Sequence, residues 1–147
     1  MKILIINGPN LNLLGIRQPE IYGHATYADL VAFVAQVCAD HKLEHEMFQS
    51  NHEGAIIDKI HAAYGTCDGI IINAGAYTHT SIAIMDALKA VNLPTVEVHL
   101  SDLSQREDFR QISYPAKACQ LVVMGQGIAG YETAILALIA SCCNNNV

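Results

Sequence analysis

The chain has 147 residues, with 8 Lys and Arg against 14 Asp and Glu for a net charge of −6. That length suits a single domain, 1–147 with 144–147 as a frayed tail, able to bury a core without staples. Apolar residues at 52% and charged residues at 15% exclude a disordered chain, and an acidic balance without a basic run makes nucleic acid and anionic membrane poor partners. So few charges leave little to cover the surface, and association into homo-oligomers is expected.

Five cysteines, an odd number without C-x-x-C and with Cys142 adjoining Cys143, fit neither a disulfide framework nor a zinc site. They point to reduced thiols in a cytoplasmic protein. No signal peptide precedes the first strand-like run.

Ile3 to Ile6 is a continuous apolar run, as in a strand buried on both faces. The loop that follows, Asn7 to Gly23, is long for a strand-to-helix connection, has glycines at both ends, and carries Arg17 five residues before Tyr22. Loops of this length are often lids, although a plain surface loop with a packed tyrosine reads the same way. Thr26 to His41 has helical spacing, opened by a Thr26/Asp29 capping pair. Leu43 to Phe48 reads as an edge strand, and Ser50 with Glu53 as a capping box opening a helix through Ile56 and Ile60. Gly69 to Ile72 is a second buried strand, Ser81 to Val91 a helix, and Pro94 to Val98 and Gln120 to Met124 strands. Tyr131 to Cys142 is the last helix. It lies within the apolar stretch Ile128 to Cys143, which Glu132 interrupts and which is too short for a membrane span. Five strands alternating with helices predict an α/β fold, a five-stranded parallel sheet of flavodoxin-like order 2-1-3-4-5 with helices on both faces.

Ligands of such sheets sit beyond the carboxyl ends of the strands. The segments there are Asn7 to Gly23, Ser50 to Glu53, Asn73 to Ser81, Glu97 to Arg110 and Gly125 to Gly130. The last matches G-x-G-x-x-G between a strand and a helix. A dinucleotide site, however, uses the first strand–helix unit and an acidic residue on the next strand, and here no strand follows. The turn is read instead as packing a helix on the sheet. All three arginines, Arg17, Arg106 and Arg110, fall in these loops, which suggests a small anionic or polyhydroxylated ligand. Asn73, His79 and Ser81 could hold hydroxyls, and backbone N–H groups where the helix opens could hold a carboxylate. Glu97 and His99 share one face of a strand, as an oriented acid or base would require. A metal pair of His99 with His79 and a merely structural histidine are the rival readings. No third ligand has diagnostic spacing, so neither metal nor organic cofactor is expected.

At these residues the chain resembles the type II 3-dehydroquinate dehydratases. The resemblance rests on NGPNLNLLGIRQPEIYG (Asn7 to Gly23), NAGAYTHTS (Asn73 to Ser81), EVHLSD (Glu97 to Asp102), Arg106 with Phe109-Arg110, and the Gly125–Gly130 turn, in family order across nearly the whole chain. It implies dehydration of 3-dehydroquinate to 3-dehydroshikimate in the shikimate and quinate pathways, and hence aromatic amino-acid biosynthesis. It implies a homo-oligomer, a dodecamer of trimers, and no lysine Schiff base; no lysine falls at a strand carboxyl end. A different flavodoxin-like enzyme or flavoprotein, and a non-catalytic scaffold, are the alternatives.

The resemblance also implies roles. Tyr22 is the base, activated by Arg17, since tyrosine at its ordinary pKa of about 10 is protonated at neutral pH and a guanidinium at about 4–6 Å stabilises tyrosinate by up to about 4 kcal/mol. Asn10 steadies the enolate, Arg106 adds positive potential, and His99 protonates the departing hydroxyl with Glu97 holding its ring. Ser101 and the Leu100–Ser101 backbone grip the carboxylate, while Asn73, His79 and Arg110 hold ring hydroxyls. Asp86 reaches in from the next subunit.

Overall fold

Alternation along β1, Lys2–Asn7, explains why it is apolar throughout. Ile3 and Ile5 point into one core, with Leu30, Val34, Ile135 and Leu138. Leu4 and Ile6 point into the other, with Ile56, Ile60, Ile84 and Leu88. The computed structural model describes residues 1–16, 19–22 and 24–144, without the side chains of Pro19, Tyr22 and Asn144.

The elements after β1 are α1 (Pro19–Tyr22, a single turn), α2 (Tyr27–Asp40), β2 (Glu44–Gln49), α3 (Glu53–Ala63), β3 (Gly69–Asn73), α4 (Ile82–Val91), β4 (Thr95–His99), β5 (Leu121–Met124) and α5 (Ala129–Asn144). The strands are parallel in the order β2-β1-β3-β4-β5. This is the predicted order, with the predicted polar strand, β2, at an edge.

The capping expectations fare differently. Thr26 caps α2 in a full capping box with Asp29. The Ser50/Glu53 box is not formed. α3 starts at Glu53 with His52, two residues past Ser50, at its cap and no side-chain bond there, and Ser50 Oγ accepts from the His52 N–H at 3.0 Å. Ser50 therefore ends a turn rather than opening the helix.

The order in which strands are added reverses between β1 and β3. The chain crosses from β1 to β2 on one side and returns to β3 on the other, which leaves a crevice at the carboxyl ends of β1, β3 and β4. None of the helices among the described residues is long and apolar enough to cross a membrane.

Candidate active site

A cleft occupies that crevice. Pro9, Asn10, Leu11 and Leu14 line it from the loop after β1, Asn73, Gly75, Ala76 and His79 from the turn after β3, and His99, Leu100, Ser101, Leu103, Arg106 and Arg110 from the segment after β4. Three of the five segments expected at the strand ends thus meet in one place. The loops after β1 and β3 are pressed together. Gly8 N donates to Asn73 O at 2.7 Å, and a Cβ on Gly8 would fall 2.3 Å from Ala74 O, so only glycine fits there.

β4 breaks the apolar pattern of its neighbours. Val96 and Val98 face the α2/α5 core, whereas Thr95, Glu97 and His99 occupy the opposite face and are all buried. Glu97 is 0% exposed, and His99 Nε2 lies 3.0 Å from Glu97 Oε1, the distance of an ion pair, although the N–H does not point along a hydrogen bond. Burial pushes the Glu97 carboxyl up, but His99, Thr78 and Ser113 more than offset this and hold it below the ordinary carboxylate range. The predicted same-face pair is therefore a charged carboxylate behind a histidine that faces the cleft.

Arg106 places Nη1 3.5 Å from Ser101 Oγ, and Arg106 and Arg110 have Nε 3.4 and 3.3 Å from Glu107 Oε2, ion-pair distances at which the Arg110 Nε–H makes no hydrogen bond. The Arg110 guanidinium lies 5.2 Å from the centre of the Phe109 ring. The glycine turn after β5 lies behind this wall and outside the cleft lining. Gly127 N donates to Leu100 O at 3.0 Å, so the trans peptide turns the Ser101 N–H the opposite way. Gly130 lets α5 approach the sheet, since a Cβ there would meet Val123 and Val98 at 3.3 and 3.5 Å. This is the packing role read from the sequence.

Across the cleft, Asn10 adopts φ 68°, and its N–H donates to Asn51 Oδ1 at 3.0 Å. Asparagine tolerates this left-handed conformation better than most side chains. Asn73 lines the cleft but is heavily engaged: its Oδ1 accepts from Gly75 N at 3.2 Å, and its Nδ2 donates to Tyr131 Oη at 3.3 Å. His79 Nδ1 lies 2.8 Å from Ile112 O, which fixes a proton on Nδ1 and turns Nε2 to other partners.

Ser81 lies outside the cleft lining. It is 2% exposed, and its Oγ accepts from Ile84 N at 2.9 Å as the cap of α4. A 3-10 turn, Gly75–His79, separates β3 from α4, so the N–H groups that face the cleft side belong to that turn and not to the helix start. Glu97 lies behind His99, outside the lining, and Asp86 is exposed on α4 away from it. Arg17 and the Tyr22 side chain lie outside the described residues. Among the described residues no group of three or more His, Cys, Asp or Glu could hold a metal ion.

Sequence reading missed Thr78, Ser113 and Asn51. Thr78 and Ser113 both bond Glu97, and Asn51 anchors Asn10. Ser113 carried a signal: a serine two residues before Pro115 is placed to cap a turn, and its Oγ accepts from Ala116 N at 3.0 Å. Asn51 and Thr78 carried none, since both act through residues distant in sequence.

With this geometry in view, comparison with known proteins is specific. The family described as dehydroquinase class II matches residues 1–139. The chain belongs to that family. Among its relatives is a 3-dehydroquinate dehydratase of Caldicellulosiruptor bescii, 55% identical over 138 residues, 93% of this chain and 95% of the relative. A catabolic 3-dehydroquinase of Penicillium rubens is 52% identical over 134 residues, covering 91% and 86%. The crystal structure of a type II dehydroquinase from Butyrivibrio crossotus superposes with a TM-score of 0.93 at 52% identity, covering 95% of this chain and 97% of that one. A flavodoxin-like class II dehydroquinase fold therefore accounts for nearly the whole chain.

Proposed function

We propose that the cleft dehydrates 3-dehydroquinate to 3-dehydroshikimate through an enolate, in the shikimate and quinate pathways, without a Schiff base. The observation that carries this reading is the cleft itself. A histidine backed by a buried carboxylate shares the cleft with Asn10, Arg106 lies beside Ser101 with Arg110 also in the wall, and no lysine is in the lining among the described residues. A carboxylated, polyhydroxylated cyclohexanone matches that chemistry. Ser101 and the Leu100–Ser101 backbone suit its carboxylate, Arg106 adds positive potential beside them, and Asn73, His79 and Arg110 suit its hydroxyls.

In the reaction, Tyr22, as tyrosinate stabilised by Arg17, takes the proton α to the carbonyl. The electron pair moves to the carbonyl oxygen, with Asn10 as the donor that steadies the enolate. The enolate then collapses, the C1–O bond breaks, and His99 gives its proton to the departing hydroxyl, which leaves as water. Return of the proton from Tyr22 to His99 through solvent resets the site. Closure of the loop that carries Arg17 and Tyr22 would exclude water during these steps. Asp86 of one subunit completes the site of the next in a dodecamer of trimers, in the cytoplasm and without cofactor.

The test is an assay with 3-dehydroquinate followed through the absorbance of the conjugated enone product, with borohydride added during turnover. Formation of the enone with enzyme mass and activity unchanged is expected. Absence of the enone overturns the substrate, and a substrate adduct on a lysine overturns the enolate route.

A further inference from the structure

An ionised carboxylate buried away from water needs donors on its oxygens. Glu97 has two hydroxyl donors besides His99, and they come from different loops. Thr78, in the turn after β3, donates from Oγ1 to Oε1, and Ser113, in the loop before β5, places Oγ 2.8 and 2.9 Å from Oε1 and Oε2. The Ser113 hydroxyl already accepts from Ala116 N at 3.0 Å, so its own proton goes to the carboxylate. The two hydroxyls are 3.3 Å apart and do not compete, because each points its proton at Glu97. The loops are stitched together around them: Tyr114 N donates to Thr78 O at 2.9 Å, and His79 Nδ1 donates to Ile112 O at 2.8 Å.

We infer that Thr78 and Ser113 are positioning residues for the acid step: a hydroxyl clamp that keeps the Glu97 carboxylate charged and aimed at His99. The inference rests on the proposed function for its kinetic readout and on geometry for its structure. Other titratable groups facing Glu97 are few. His99 lies on the same strand, and Cys119, leading into β5, is a thiol that burial first and Glu97 second push up to about 12. The strand neighbours in register, Ile72 and Val122, are apolar, and His79, Arg106 and Arg110 lie further out around the cleft. Removing a donor therefore makes the carboxylate take up a proton more readily, with His99 the only cation in contact with it among the described residues.

The experiment is kcat and KM for 3-dehydroquinate against pH. Ser113→Ala should lower kcat about 10-fold, the worth of one hydrogen bond to a charged group, with KM within about 2-fold. Its acidic limb of kcat should move to higher pH. Ser113→Thr, which keeps the hydroxyl, should recover most of kcat, and Thr78→Val, which keeps the shape, should repeat the loss. Profiles of Ser113→Ala and Thr78→Val that superimpose on the wild type, or fall equally at every pH with the limb unmoved, overturn the clamp. Should Ser113→Ala fail to fold, Thr78→Val and a carbon-13 titration of the wild-type carboxyl decide. Protonation of Glu97 only below the ordinary carboxylate range supports the clamp, and protonation within or above that range overturns it. A wild type that does not dehydrate 3-dehydroquinate defeats the functional reading alone, and the titration still judges the clamp.

Discussion

The glycine-bearing turns after β1, at Gly8, and after β5, at Gly125–Gly130, both leave the carboxyl edge of the sheet, and of these two only the first borders the cleft, through Pro9 and Asn10. In both, one glycine sits where another group approaches closely, and the second turn adds Gly125 and Gly127 in the left-handed region, at φ 76° and 57°. At Gly8 the obstacle is the Ala74 backbone, and at Gly130 it is the side chains of Val123 and Val98. Position in the sheet separates them. β1 borders the point where strand order reverses, and a crevice opens there. β5 is an edge strand, and the turn after it can only brace what lies beside it, through Gly125 N to His99 O at 3.3 Å and Gly127 N to Leu100 O at 3.0 Å. The turn with the better-known motif is thus the support, and the turn without it forms the wall.

That contrast is tested most severely at Tyr22, in the segment following Gly8. Tyr22→Phe keeps the ring and removes the ionisable oxygen, and turnover should fall at least about 10²-fold, the low end for a general base. Folding and substrate binding should survive. Near-wild-type turnover in a folded variant would move the base elsewhere, with His99 the first candidate.

Gly8→Ala should come next. A methyl 2.3 Å from a backbone carbonyl forces the loops after β1 and β3 apart, which costs about 1–3 kcal/mol of stability. Asn10 and Asn73 would separate, and a displacement of about 1 Å in a catalytic constellation costs up to about 10²-fold in rate. Denaturant melts and steady-state kinetics on the same preparation check both. A variant as stable and active as the wild type would show that the loops are not packed as tightly as the Gly8 N–Asn73 O bond indicates.

How far these walls were legible in the sequence follows from the range of the interactions. The strands, the polar edge strand and the Glu97/His99 face were readable because period-two alternation and strand–helix crossovers are local rules, whereas the order 2-1-3-4-5 came from the arrangement usual for five such strands and not from any residue. The Ser50/Glu53 box failed because the spacing of a capping box does not say at which residue the helix begins, and His52 took the cap position. Ser81 has the chemistry of a ligand residue, yet the α4 N–H groups needed its oxygen first. The donors on Glu97 were hidden because Thr78 and Ser113, 35 residues apart in the chain, meet only in the folded protein.

The acid pair offers a smaller effect, read in stability. Burial pushes Glu97 up, His99, Thr78 and Ser113 pull it down further, and the carboxyl stays below its ordinary value of 4.5. A carboxyl depressed on folding adds stability at pH above that value and loses it as pH falls through the lower folded value. The difference in unfolding free energy between wild type and Glu97→Gln should therefore narrow on acidification below 4.5. A difference that widens there would place the folded value above the ordinary one and reverse the assignment.

The smallest effect belongs to the supporting turn. Gly127 has φ 57°, and a Cβ there would meet nothing within 4 Å, so Gly127→Ala adds only the backbone strain of a left-handed L-residue, about 1–2 kcal/mol. For a chain of this size that is a fall of a few degrees in Tm, about 3–8 °C. The Gly127 N–H remains to bond Leu100 O, so the peptide before Ser101 keeps its direction and KM for 3-dehydroquinate should stay within about 2-fold of the wild type. A support can lose stability without changing the ligand's contacts, whereas a wall cannot. If Gly127→Ala raised KM about 10-fold with Tm nearly unchanged, the turn would belong to the binding surface, and the distinction between the two glycine turns would fail.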